Sequence, residues 1–256
     1  MGPHLPGTLL VMSESLIWIS GASSGIGAAL AATLPWEGAK LIDVSRRGAP
    51  GADHVEADLA DPSTWEAVAE SFRTELAEWS GDRVVFIHAA GVIDPIGFAG
   101  EVDTGAYTRN VILNSAAPQV LGHAFLAAAK DVDARRQMLM LTSGAASSVY
   151  PGWSSYGAGK AAVDQWVRDV RAEQESRGGA EVIAVTPGTV DTGMQEQIRQ
   201  TPEEDFPKRQ KFVDLHEQGE LEDPQEVARE IWALLDRGFE NGAVVDLREL
   251  TSAQES

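Results

Sequence analysis

Apolar and β-branched residues gather along the chain in short runs. Between them lie longer stretches whose apolar positions are spaced as on one face of a helix. Runs near 15–20, 39–45, 83–88, 137–143 and 181–186 predict strands, with a last short strand near 242–246. The stretches Gly25–Leu34, Pro62–Trp79, Thr104–Ala129, Ser155–Ser176 and Pro224–Leu235 predict helices. The last is preceded by Asp223, an N-cap acid, and opens with proline in its first turn, a helix-start signal. Such alternation predicts an α/β fold: a doubly wound parallel sheet with helices on both faces, in a single domain over 13–251. Residues 188–222 follow neither period and interleave Gly, Pro and charges. A segment of that length in a compact domain is expected to be functional, here as a lid over the substrate. Residues 1–12 lack the basic start of a signal peptide and are expected to form a flexible N-terminal extension, with 252–256 as a tail. No uninterrupted apolar run of about 18 residues occurs, so no membrane-spanning helix is expected.

Composition narrows the function classes. The 256 residues, 43% of them hydrophobic, suffice for one α/β domain with a sizeable core. A formal charge of −19 argues against nucleic acid or an anionic membrane as partner, since both need basic patches. An anionic ligand must find local positive charge or backbone N–H groups instead. The chain has no cysteine, which excludes disulfides, thiol catalysis and zinc–thiolate sites. His4, His54, His88, His123 and His216 show no close metal-ligand spacing, so no metal is expected. The expected location is the cytoplasm.

Three stretches carry chemistry. Between the first strand and its helix lies Gly21-Ala22-Ser23-Ser24-Gly25-Ile26-Gly27. Glycines there permit a tight turn and close approach of backbone to a pyrophosphate, at a helix N-terminus rich in free N–H groups. Tyr156 stands four residues before Lys160, one helical turn away on the same face. Ser143 ends the run Met138-Leu-Met-Leu-Thr-Ser, thirteen residues before Tyr156. Taken singly these are commonplace; in this order, a hydroxyl, a phenol, an ammonium and a phosphate-binding turn suggest hydride transfer from a nicotinamide cofactor. Tyrosine titrates near 10 when free; Lys160 beside it and the positive ring of an oxidised nicotinamide are together expected to lower that value.

With these residues the chain resembles the short-chain dehydrogenase/reductase family, with its Rossmann-type fold, over about residues 14–247. The resemblance implies that Ser20 through Gly27 form the cofactor turn, with Ser20 where threonine is usual. It implies that Asp58, followed by Leu59, contacts adenine, and that His88-Ala89-Ala90-Gly91 stands where the family has Asn-Asn-Ala-Gly. Asn114, Ser143, Tyr156 and Lys160 match the catalytic tetrad: Tyr156 gives the proton, Ser143 holds the substrate oxygen, and Asn114 anchors a water relaying protons to Lys160. Pro187-Gly188, with Val190 and Thr192, matches the segment that holds the nicotinamide carboxamide. A narrower likeness, in Ser143–Ala146, Tyr150–Tyr156, Pro187–Gln195 and Glu240–Asp246, is to bacterial benzil reductases and sepiapterin reductases. His88 and Ala89 depart from the family pattern, and His88 is expected to replace a structural asparagine by hydrogen bonding rather than to act in catalysis.

The second strand ends Asp43-Val44-Ser45-Arg46-Arg47. Relatives that prefer NAD carry an acid at the place of Ser45; a small hydroxyl followed by Arg46 and Arg47 invites a 2′-phosphate, so NADPH is expected over NADH. Asp43 is expected to point into packing. Ala145, Ala146, Tyr150 and Trp153 should line an apolar substrate pocket, with Met194 and Ile198 closing over it. The expected activity is NADPH-dependent reduction of a ketone, a diketone such as benzil or a pterin-like carbonyl. The alternatives are an NAD(P)-dependent alcohol dehydrogenase working oxidatively and a non-catalytic NADP(H)-binding protein. The resemblance also implies a homodimer or homotetramer, paired through 104–129 and 155–176.

Overall fold

A computed structural model of the chain describes residues 14–238 and 243–252. Seven parallel strands form one sheet in the order β3-β2-β1-β4-β5-β6-β7. They are β1 (Ser15–Ser20), β2 (Lys40–Ser45), β3 (Asp53–Glu56), β4 (Arg83–His88), β5 (Arg135–Leu141), β6 (Glu181–Thr186) and β7 (Val244–Asp246). The central strands are buried on both faces, which is why they read as nearly continuous apolar runs. Leu16, Trp18, Val84, Phe86, Met138 and Met140 point to one face, where they meet α2 (Trp65–Leu76), α4 (Ala117–Ala129) and α5 (Ser154–Glu175). Ile17, Ile19, Val85, Ile87, Leu139 and Leu141 point to the other, against α1 (Gly25–Ala32) and α8 (Pro224–Arg237). The doubly wound α/β architecture and single domain are therefore as expected.

Three differences from the sequence reading have local causes. The edge strand β3 was not expected: of Asp53-His-Val-Glu only Val55 is apolar and the strand is mostly exposed. Residues 188–222 are not irregular throughout, for they contain α6 (Gly193–Gln200) and α7 (Arg209–Glu217), short helices whose few apolar positions are interrupted by charges. The helix expected over Thr104–Ala129 is continuous, yet a π-helical turn at Ile112–Ala116 divides it into α3 (Thr104–Val111) and α4. By length and composition this 26-residue stretch is long and apolar enough to cross a membrane, although no uninterrupted apolar run predicted one. Here they pack beside α2 and α5 and hold two buried asparagines, Asn110 and Asn114.

Asp223 caps α8 as expected, accepting from the N–H groups of Gln225 (2.7 Å) and Glu226 (3.1 Å), with Pro224 in the first turn. The last strand begins at Val244. Residues 1–13, 239–242 and 253–256 lie outside the described residues. So do the expected extension, most of the tail and part of the Glu240–Asp246 likeness. The order of strands reverses direction between β1 and β4, and in such sheets ligands bind beyond the carboxyl ends of the strands at that point.

Candidate active site

The chain turns from β1 into α1 through a loop whose backbone demands glycine. Gly21 has φ +77° and Gly25 φ +53°, both left-handed. Space is equally restrictive: a Cβ on Gly21 would lie 2.9 Å from Ala90 Cα, and one on Gly27 only 2.2 Å from the Gly21 carbonyl oxygen. The turn is held down by Gly21 N–H donating to Val44 O (2.9 Å) and Ala22 N–H donating to Asp43 Oδ1 (3.1 Å). Ser24, the N-cap of α1, makes no side-chain capping bond, so the first N–H groups of the helix remain available to an anion.

A cleft of about 640 Å³ opens above this turn. Gly21, Ser23, Ser24, Gly25 and Ile26 line it from the turn, and Ser45, Arg46 and Arg47 from the end of β2. Asp58 and Leu59 follow β3 along its wall, and Ala89, Ala90 and Gly91 follow β4. Gly27 does not line the cleft; it lies beneath the turn and lets α1 approach it. Asp43 is fully buried and committed to Ala22 N–H and to Ser45, whose hydroxyl donates to Asp43 Oδ2 at 2.6 Å. Ser45 Oγ also accepts from Gly48 N–H at 3.1 Å. Arg46 and Arg47 are exposed, and neither is in an ion pair among the described residues. Asp58 meets a residue the sequence reading missed: Arg109 of α3, at 2.8 Å. Burial alone would raise the Asp58 pKa, but the Arg109 guanidinium and the Ala60 N–H hold it below the ordinary carboxylate value.

The cleft continues through Ile26, Ala89, Gly91 and Thr192 into a second cavity, of about 300 Å³. Ser143, Tyr156 and Lys160 converge here from different elements: the exit of β5 and the first turns of α5. Tyr156 and Lys160 are both buried, with 7% and 5% of their surface exposed. Lys160 Nζ donates to Leu141 O at 2.8 Å and lies 5.8 Å from the centre of the Tyr156 ring. Burial pushes Lys160 down to about 8, against a smaller opposing pull from Asp164. The chain's own groups do not by themselves produce the expected lowering of Tyr156. Burial raises its pKa, the hydrogen bond with Ser143 opposes that only in part, and Lys160 directs its ammonium at a backbone carbonyl instead.

Asn114 sits behind the cavity wall, in the π turn. Its Oδ1 accepts from Val92 N–H (3.1 Å), and its Nδ2 donates to Val92 O (2.7 Å) and Asn110 Oδ1 (3.0 Å). α5 packs onto this turn so closely that a Cβ on Gly159 would lie 3.0 Å from Asn114 Cβ. His88 bridges the two central strands: its Nδ1 shares a 3.1 Å hydrogen bond with Ser20 Oγ, which also accepts from Ala90 N–H at 3.2 Å. Burial, helped by the charge of Lys160, pushes His88 down to about 3, so the ring is neutral near pH 7.

Pro187, Gly188, Val190 and Thr192 line the cavity from the exit of β6. The Thr192 methyl would touch a Cβ placed on Gly25 at 3.6 Å, so this segment lies over the glycine turn. The far wall is aromatic. Trp153 stacks on Phe206 with ring centres 4.5 Å apart, and Tyr150 and Phe212 complete the cluster. Ala145, Met194 and Ile198 line the same cavity, whereas Ala146 faces a separate outer groove with Phe98 and Val149. The sequence reading did not single out Phe206, Phe212, Lys211, Gln195 or Arg248. The first four lie in or between the short helices that the charge pattern concealed. Arg248 comes from beyond β7, where nothing local points to the cavity, and is ion-paired with Asp246.

The comparisons agree with this geometry. A family model described as short chain dehydrogenase matches residues 15–203. Benzil reductase ((S)-benzoin forming) of Bacillus subtilis (strain 168) is 32% identical over 236 residues, covering 90% of this chain and 97% of its own. Sepiapterin reductase of Rattus norvegicus is 28% identical over 254 residues, covering 91% and 95%. The crystal structure of angucycline C-6 ketoreductase LanV with bound NADP superposes with a TM-score of 0.71 at 25% identity, covering 91% of this chain and 93% of that one. A glycine turn under a cleft of about 640 Å³, a buried Ser–Tyr–Lys group in the adjoining cavity and a family match over most of the chain lead to one conclusion: the protein is an oxidoreductase belonging to the short-chain dehydrogenase/reductase family.

Proposed function

We propose that the protein is an NADPH-dependent carbonyl reductase that accepts aromatic ketones, including 1,2-diketones of the benzil type. The observation that carries this reading is the adjoining of the two cavities: the cleft above the glycine turn shares Gly91 and Thr192 with the pocket holding Ser143, Tyr156 and Lys160. The residues fit a dinucleotide. Uncapped N–H groups of α1 and the close approach at Gly21 suit a pyrophosphate, and the unpaired Arg46 and Arg47 suit a 2′-phosphate. Asp43, the acid nearest the ribose end, is withdrawn into hydrogen bonds with Ala22 and Ser45, which disfavours NADH.

A bound nicotinamide supplies hydride to the carbonyl carbon. The chain supplies the rest. Ser143 donates a hydrogen bond to the carbonyl oxygen and stabilises the charge that grows there. Tyr156 gives that oxygen its proton; the raised pKa keeps the phenol protonated and ready to donate. Lys160, near 8, exchanges protons with the phenol from the buried side, and Asn114 holds the backbone around that path in place. The aromatic wall of Tyr150, Trp153 and Phe212 favours a flat ring beside the carbonyl, and α6 with α7, within 188–222, serves as the lid over the substrate. The similarity to benzil reductases, about 30% identical, supports the diketone class.

The test is NADPH oxidation with benzil and with sepiapterin, repeated with NADH. We expect turnover of benzil with a higher kcat/KM for NADPH than for NADH, and a loss of about 10³-fold or more in kcat for Tyr156→Phe with cofactor affinity nearly intact. Retained turnover in that variant removes Tyr156 as proton donor, and equal or better use of NADH removes the cofactor assignment.

A further inference from the structure

The wall of the catalytic cavity contains an amide that nothing among the described residues satisfies. Gln195, on the first turn of α6, is 3% exposed and lines the same cavity as Ser143 and Tyr156. Both its side-chain nitrogen and its oxygen are buried, and neither has a hydrogen-bond partner among the described residues. Its neighbours on the helix, Met194 and Ile198, are apolar and line the cavity too. A leucine or methionine at this place would fill the same space without stranding two polar atoms. Leaving a buried amide unpaired costs free energy, so such a group is retained where a ligand satisfies it.

The chemistry of that ligand follows from the wall. Ser143 and Tyr156 are both directed at one oxygen, that of the carbonyl being reduced, and come from β5 and α5. Gln195 comes from a third element and supplies a separate donor. It is neutral; of the cations lining the cavity, Arg248 is ion-paired with Asp246, Lys160 donates to Leu141 O, and Lys211 donates to the Tyr150 hydroxyl at the aromatic wall. A neutral amide donor suits an uncharged oxygen such as that of a ketone. Glutamine has three rotatable side-chain bonds, enough to turn its amide from the wall into the cavity.

We infer that Gln195 is a specificity-determining residue whose amide N–H donates to the second oxygen of a substrate with two adjacent oxygens, such as a 1,2-diketone. This rests on the carbonyl-reductase reading of the site. A site built to bind an oxygen discriminates against the analogue that lacks it, because the amide is then left unpaired.

The test compares benzil with deoxybenzoin, which has the same carbon skeleton and a methylene in place of one carbonyl. Both are measured with NADPH for the wild type, Gln195→Leu and Gln195→Met. The readout is each protein's ratio of kcat/KM for benzil to that for deoxybenzoin, so the different intrinsic reactivities of the two ketones cancel between proteins. We expect the ratio to fall about 10- to 100-fold in both variants, the effect of one lost hydrogen bond. We also expect melting temperatures equal to or above the wild type, because an unpaired buried amide has been replaced by hydrocarbon. An unchanged ratio overturns the inference. So does a rise in KM for NADPH that lowers both substrates alike, which would assign the amide to the cofactor. Loss of folding in both variants would make Gln195 structural and overturn it equally. A wild type that turns over neither ketone would instead overturn the carbonyl-reductase reading, and this inference with it.

Discussion

At the scale of single residues, burial is the strongest influence on the chemistry of the site. Tyr156, Lys160 and His88 are all withdrawn from water, and each is shifted toward its neutral form. For Lys160 this has a measurable consequence for stability. Its pKa is about 8 in the folded protein against an ordinary 10.5. Below pH 8 the folded and unfolded chains both carry the proton, and the cost of burying the ammonium is fully present. Between those values the folded protein has released its proton while the unfolded chain still binds one, so stability rises with pH. Lys160→Met removes the charge altogether. Urea unfolding of the cofactor-free proteins should therefore show the variant gaining most over the wild type at pH 7. That advantage should shrink by about 2 kcal/mol by pH 10. A difference that stays constant across this range would mean that Lys160 is not desolvated in solution. His88, pushed down to about 3, stays neutral throughout this window.

At the scale of elements, the β1–α1 turn and the π turn do similar work, each using a tight backbone contact to aim groups at the cavity. Gly27 lets α1 lie so close to the turn that a Cβ there would stand 2.2 Å from the Gly21 carbonyl oxygen. Backbone on that side cannot rotate away as a flexible side chain would. Gly27→Ala should thus displace the turn, with a cost of about 1–3 kcal/mol. It should also weaken NADPH binding by about tenfold or more, because the N–H groups of α1 no longer converge. Thermal unfolding and calorimetric titration read the two effects; normal affinity in a folded variant would show that the contact relaxes harmlessly. The π turn is the second device. It sets Asn114 against Val92 and against α5, where Gly159 leaves room for it. α6 and α7 are tethered over the aromatic cluster in turn: Lys208 donates to Val149 O at 2.6 Å, and Gln197 to the Asp94 carboxylate.

At the scale of the whole molecule, a charge of −19 surrounds a site meant for an anionic cofactor. The structure resolves that conflict locally. Arg46, Arg47 and Arg109 stand at the cleft, against two acids in its lining, Asp58 and Asp94. Self-repulsion of such a surface destabilises the compact state, and salt screens it. Raising NaCl from about 10 mM to about 150 mM shortens the screening length from about 30 Å to about 8 Å. The melting temperature should then rise by about 2 °C or more. A flat or falling response would indicate that the acidic residues are locally compensated rather than mutually repelling. The long apolar helix Thr104–Ala129 belongs to this scale as well: its composition alone would suit a bilayer, and only its place beside α2 and α5 shows what it packs against.

The sequence by itself determined whatever depends on neighbours along the chain. Central parallel strands are apolar on both faces, so β1, β4, β5 and β6 stood out as runs. The glycine turn and the Tyr156–Lys160 pair were legible because a tight turn and one helical turn are short-range geometry. Tertiary structure alone decided what depends on burial and on meeting distant residues. Edge strand β3 is held by pairing with β2 rather than by its own polar residues. α6 and α7 are held by packing against the aromatic cluster, which a charge-rich sequence does not announce. Arg109 meets Asp58, 51 positions away, and Gln195 reaches the catalytic cavity with no side-chain partner among the described residues, through contacts no local pattern encodes. The direction of the Tyr156 shift belongs to the same class. Helical spacing brings an ammonium near a phenol, but the depth at which the fold buries both decides which way the proton is biased.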